Sequence, residues 1–225
     1  MKKNSLKNRL AFTMIELVFV IIMVGILSAA IIPSMQSSRL REAADQIVSH
    51  IRYTQHLAMI DDKFDPAGGT WYKKRWQILF EQNGDLWAYT IFSDNVVIDG
   101  NPEEEEIARN PQDTSKRLTG GSTFGGIDSD DKIITKDLNI GRTYGITGVD
   151  GIKFNNFCGN VGANRIVFDY IGRPMGGNPF NYIRSYQNAN LITSMAPLCT
   201  ITITDNSGDS LDITIEPETG FARII

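Results

Sequence analysis

Residues 9–33 read RLAFTMIELVFVIIMVGILSAAIIP, and from Ala11 to Ile32 the apolar run is interrupted only by Thr13, Glu16, Gly25 and Ser28. As a helix, at about 1.5 Å per residue, that run spans roughly 33 Å, about one hydrocarbon core. The residues before it, MKKNSLKNRLA, carry Lys2, Lys3, Lys7 and Arg9 with no acid, so the positive-inside rule keeps this end cytoplasmic. No later window is comparably apolar. The expectation is one membrane crossing, with everything after Pro33 a soluble body on the far side.

The chain has 225 residues, 42% of them hydrophobic, with a net charge of −4, which suits one ordinary globular domain plus an appendage. Lys and Arg total 22 against 26 acids, so no basic excess exists to hold a phosphate backbone, and nucleic acid ranks as a secondary partner. The two cysteines, Cys158 and Cys199, form no CxxC pair, which removes support for zinc or thioredoxin-type chemistry.

Three readings compete for the apolar segment. A cleaved signal peptide would use Ser28, Ala29 and Ala30 as its small residues, and a plain signal anchor would not be cut at all. Neither explains Glu16, because an acid inside a span costs up to roughly 2.5–3.5 kcal/mol and marks a functional position with a partner to be named. The third reading names one. Ala11-Phe12-Thr13-Met14-Ile15-Glu16-Leu17, with its basic leader and the apolar helix meeting Pro33, resembles the class III signal of type IV pilins and type II secretion pseudopilins. The resemblance implies that a prepilin peptidase cuts between Ala11 and Phe12 and methylates the new amine of Phe12. It also implies that Glu16 pairs with the N-terminal amine of a neighbouring subunit, a charge pair that would set register in a low-dielectric bundle. The family usually has Gly before the cut, where this chain has Ala11. Removing the leader takes four positive charges with it and moves the net charge from −4 to −8.

Beyond Pro33, Leu40, Ala44, Ile47, Ile51, Thr54 and Ala58 recur at helical steps, so one helix is expected over residues 12–59, with Pro33 kinking it. Past Asp61 the period changes to that of strands. Trp76–Gln82 and Leu86–Ser93 flank Asn83-Gly84-Asp85, a hairpin signal, and further strands are expected at 133–138, 165–170, 199–204, 210–215 and 221–225. The alternation Cys199, Ile201, Ile203 against Leu211, Ile213, Ile215 describes a second hairpin with one buried face. Residues 99–151, with the acid run Glu103 to Glu106, read as loops around at most one or two strands. The fold class is α+β: a leader over 1–11, a transmembrane or filament-core helix over 12–33, its amphipathic continuation over 34–60, and a mainly antiparallel β head over 61–225.

Within the head, Ile166–Pro174 (IVFDYIGRP), Thr219–Ile224 (TGFARI) and Ile51–Ala58 (IRYTQHLA) are similar to segments of the GspH/FimT-type minor pseudopilins. The pilin reading puts Cys158 and Cys199 in the periplasm, where a disulfide would close a loop of about 40 residues; two separate buried thiols are the alternative. His50 and His56 lie about 120° apart on a helix and do not suit a shared metal. Gly120–Gly126 has neither the spacing nor the following Lys of a phosphate loop. Two acid groups, Asp128, Asp130 and Asp131 and then Asp205 and Asp209, raise calcium, yet neither has EF-hand spacing.

No cofactor, resident metal or catalytic site is expected. The function implied is a structural minor pilin or pseudopilin of a type II secretion or type IV pilus machine. Its partners would be other pilins, the prepilin peptidase, the inner-membrane assembly platform and the bilayer. The alternatives are a FimT-like DNA-uptake subunit using Arg173, Arg184 or Arg223, and an exported β-rich enzyme or binding protein.

Overall fold

The computed structural model describes residues 13–158, 164–186, 192 and 198–225, with the helix backbone alone over 29–38. Helix α1 runs from Met14 to Ile60, and the chain divides into two compact units after Ser38. The helical assignment passes through position 33 without a break.

From Arg39 onward the fold is α+β, built on two four-stranded antiparallel sheets. The strands are β1 (Trp76–Asn83), β2 (Leu86–Ser93), β3 (Ile152–Phe154), β4 (Arg165–Phe168), β5 (Pro174–Gly176), β6 (Cys199–Thr204), β7 (Ser210–Ile215) and β8 (Ala222–Ile224). One sheet has the order β2-β1-β4-β5 and the other β3-β6-β7-β8. The C-terminal part of α1 supplies Leu40, Ala43, Ala44, Ile47, Val48, Ile51 and Ala58 to the core, where they join Ile78 and Phe80 of β1, Ile166 and Phe168 of β4, and Ile201, Ile203, Ile213 and Ile215 of β6 and β7. Their three- and four-residue spacing puts them on one helical face, and the three alanines let the helix backbone come close to the sheets.

The two sheets differ in what covers their outer faces. β6 alternates strictly between buried and half-buried residues, as an antiparallel strand with one wet face must. Cys199 stands opposite Ile215, Ile201 opposite Ile213 and Ile203 opposite Leu211, so the expected hairpin forms in the expected register. β1 and β2, by contrast, are buried almost throughout. Leu79 and Phe92 point away from α1 into a second cluster with Ile107, Ile127 and Ile134, so the long segment between β2 and β3 covers that outer face.

Asn83 pairs with Leu86, which leaves Gly84-Asp85 as the two-residue connection. Gly84 has φ 61, and Asp85 is not among the residues with positive φ. That is the pattern of a type II′ turn, with Asn83 in the strand rather than in the turn.

Residues 133–138, expected as a strand, are not one. Ile134 makes a single parallel bridge to Arg117, and Lys136–Leu138 closes into a 3₁₀ turn that leads into the five-residue helix α2 (Ile140–Tyr144). The apolar residues Ile134 and Leu138 are buried, but as anchors of a connection. Asn139 caps α2 by accepting from the Arg142 amide at 3.0 Å, and Gly145 ends it at φ 80.

Candidate functional site

Two regions draw the residues singled out in the sequence: the start of α1, and the face of the head against which residues 39–60 pack.

At the start of α1, Thr13 caps the helix. Its hydroxyl accepts from the Glu16 amide at 3.4 Å, and its carbonyl accepts from the Glu16 and Leu17 amides at 3.1 and 3.2 Å. Thr13 and Glu16 thus stand at the first and fourth positions of a Thr-x-x-Glu capping pattern, and an acid in the first turn is favoured by the helix dipole. This local role gives Glu16 a purpose within its own chain. From Met14 to Leu27 every apolar side chain is exposed, Met14 at 86% and even Val18 at 47%. A helix apolar on all sides is not built to face water.

Among the described residues, no helix is long and apolar enough to cross a membrane. Side chains are described over 14–28 of this run. At the helical rise those residues cover about 22 Å, less than a hydrocarbon core of ~30 Å. Ala11 and Phe12 lie outside the described residues, as does the side chain of Pro33.

In the head, the three segments set apart in the sequence converge on one point. Gln55 Nε2 donates to the Gly172 carbonyl at 2.8 Å and to the Thr219 carbonyl at 2.6 Å. A turn earlier, Arg52 donates to the Ala222 carbonyl at 2.7 and 3.2 Å and lies 4.9 Å over the Phe221 ring. Gly172 and Gly220 have φ 85 and 67, and a Cβ on Gly220 would fall 2.5 Å from the Gly172 carbonyl, so the two turns can approach only with glycine there. Fully buried Asp169 fixes the first turn: it accepts from the Ile171 and Arg173 amides at 3.1 and 2.8 Å and pairs with Arg173 Nε at 2.8 Å.

A polar network crosses the same helix on its other flank. Tyr144 Oη donates to Gln46 Oε1 at 2.8 Å, and Gln46 Nε2 donates to Tyr89 Oη at 2.7 Å. Tyr89 Oη is also hydrogen-bonded to His50 Nδ1 at 2.7 Å. Burial depresses the His50 pKa to about 4. His56 is exposed on another face of the helix, so the two histidines do not meet.

Cys158 and Cys199 are joined by a disulfide, with Cα atoms 4.4 Å apart and a sequence separation of 41. The bridge fastens the turn after β3 to the start of β6, and the loop it closes carries β4 and β5 out to the other sheet. The two acid groups that raised calcium serve as turns. Asp205 Oδ1 accepts from the Ser207 and Asp209 amides at 2.9 and 3.1 Å. Asp128 accepts from the Asp130 amide, Asp130 pairs with Arg142 at 2.6 Å, and Asp131 accepts from the Ile133 amide. The Gly120–Gly126 loop wraps the buried Glu81, whose carboxylate accepts from Ser122 Oγ at 2.7 Å and from the Phe124 amide at 3.2 Å. Of the arginines weighed for DNA, Arg173 is held by Asp169 and Arg223 by Glu216 at 3.0 Å, while Arg184 is exposed.

No protein-family model, curated protein or solved structure matches the chain.

Proposed function

We propose that the chain is a minor pilin-like subunit, a pseudopilin, of a type II secretion or type IV pilus machine. The observation that carries this reading is the division of labour along α1. Over 14–28 it exposes apolar side chains at every turn, and from Leu40 to Ala58 it buries an apolar stripe against antiparallel sheets. Such a helix needs two apolar environments, a folded head for one half and lipid or neighbouring helices for the other.

In this reading a prepilin peptidase cuts before Phe12 and methylates it, and the N-terminal helix anchors the subunit in the bacterial inner membrane with its head in the periplasm. An assembly platform then moves the subunit into a filament, where Glu16 meets the amine of a neighbouring subunit. The cost of a carboxylate in an apolar bundle falls when that amine lies beside it, so Glu16 selects a register. Energy comes from the machine, and the subunit itself is structural.

Membrane insertion and filament incorporation of Glu16→Ala and Glu16→Gln, followed by fractionation, test this. Normal insertion with assembly reduced at least tenfold in both variants supports the pairing role. Normal incorporation of both would overturn it, because the capping role alone survives in Gln.

A further inference from the structure

The loop after β2 folds three acids onto one another. Asp94 is fully buried; its Oδ2 accepts from the Gly100 amide at 2.8 Å, and its Oδ1 is sealed from solvent with no hydrogen-bond partner. Glu106 is 3% exposed, and its Oε1 accepts from the Asn95, Val96 and Val97 amides at 2.7, 2.5 and 3.2 Å. Glu106 Oε2 accepts from the Glu103 amide at 3.3 Å. Glu103 is half-buried as a residue, yet its Oε2 is also sealed and without a partner. One carboxylate oxygen from each of Asp94, Glu103 and Glu106 lies within 4.8 Å of the other two, and this is the one such group among the described residues.

Three carboxylates in one desolvated space need compensation. The buried Arg165, which donates to the Gly100 carbonyl at 2.9 Å and to Gln77 Oε1 at 2.8 Å, brings one positive charge to the Asp94 side. Asp99 adds a further negative charge near Asp94 and Glu103. Asp94 Oδ1 and Glu103 Oε2 are left with no hydrogen-bond donor to offset that charge.

We propose that Asp94, Glu103 and Glu106 form a binding site for one calcium-class divalent cation. The donors are all hard oxygens, with no nitrogen or sulfur to favour zinc. Calcium takes several carboxylate oxygens in flexible geometry, whereas magnesium demands a near-ideal octahedron, keeps its waters and is rarely held in an all-protein cage, so three loop carboxylates favour calcium. The backbone donors on Glu106 Oε1 hold that carboxylate in place, and the unpartnered Asp94 Oδ1 and Glu103 Oε2 are the oxygens left for an ion. Bound there, it fastens residues 94–106 to the end of β2. This site is independent of the filament reading and stands or falls without it.

The test uses the full chain in detergent, stripped with chelator, and calcium chloride as the probe, with magnesium chloride in parallel. Isothermal titration and thermal melting are read on the wild type, Glu103→Gln and Asp94→Asn. The expected result is one calcium per chain, a Tm rise of several degrees at saturating calcium, and little response to magnesium. Glu103→Gln, whose side chain is the least enclosed of the three, should keep its melting transition in chelator and lose calcium affinity at least tenfold. No calcium-dependent Tm shift in the wild type overturns the proposal, and so does a shift of equal size in both variants, which would place the ion on other acids. A wild type indifferent to calcium and a Glu103→Gln variant more stable in chelator would mean that the carboxyls share a proton instead.

Discussion

Gln55 Nε2 reaches the Gly172 carbonyl at 2.8 Å and also the Thr219 carbonyl, so a single helical side chain holds two turns far apart in sequence. One turn closes β4 to β5 and the other β7 to β8, so the bond pair links α1 to both sheets at once.

Gln55→Ala should therefore cost more than an ordinary surface substitution. Losing a donor shared by two partly enclosed carbonyls costs about 1–2 kcal/mol, which for a head of this size lowers Tm by roughly 3–6 °C. Gln55→Glu, which sets an acceptor against two carbonyls, should be worse than alanine. A thermal melt of the three proteins checks the order, and equal stability of all three would remove Gln55 from the account.

The disulfide gives a second expectation. A bridge across 41 residues contributes roughly 3–4 kcal/mol by restricting the unfolded chain, so the Cys158→Ser/Cys199→Ser protein should melt about 10 °C lower. Alkylation before and after reduction, read by mass, should add no group before and two after. Alkylation of the native unreduced protein would contradict the pairing.

His50 makes stability depend on pH in a stated direction. Its folded pKa is about 4 against 6.5 unfolded, because burial disfavours the imidazolium. The unfolded chain then takes up the proton first, so this stability is whole above about pH 6.5 and is lost as pH falls toward 4. At full extent the loss is about 3 kcal/mol. His50→Asn keeps an acceptor near Nδ1 and does not titrate. The difference between its urea midpoint and that of the wild type should change between pH 7 and pH 4.5, and a constant difference would mean that His50 is solvated.

Much of the fold could be read from the sequence where local pattern and tertiary demand coincide. The β6/β7 alternation names its own register, because shifting either strand by one residue would turn Ile201, Ile203, Ile213 and Ile215 outward. β3 and β5 could not be read this way. Both are three-residue edge strands, and β5 begins with Pro174 and ends with Gly176, residues that argue against a strand on local grounds. Ile133–Leu138 carries a strand-like pattern without being a strand for the opposite reason: Ile134 and Leu138 are apolar because they plug the core from a turn. At the start of α1, Glu16 stands out in the sequence as an acid in an apolar run, and its three-residue spacing from Thr13 is the second signal it carries. The acid cluster was hidden by distance, since the run from Glu103 to Glu106 looks solvated until the loop folds Asp94 against it.

The measurement closest to the central claim is the mass and sequence of the mature N-terminus, taken from protein isolated from the membranes of its own cell. The account predicts a chain that starts at Phe12 and carries an N-methyl group, with the eleven-residue leader gone. A chain starting at Ile31, or one that keeps Met1 and the whole leader, would contradict it.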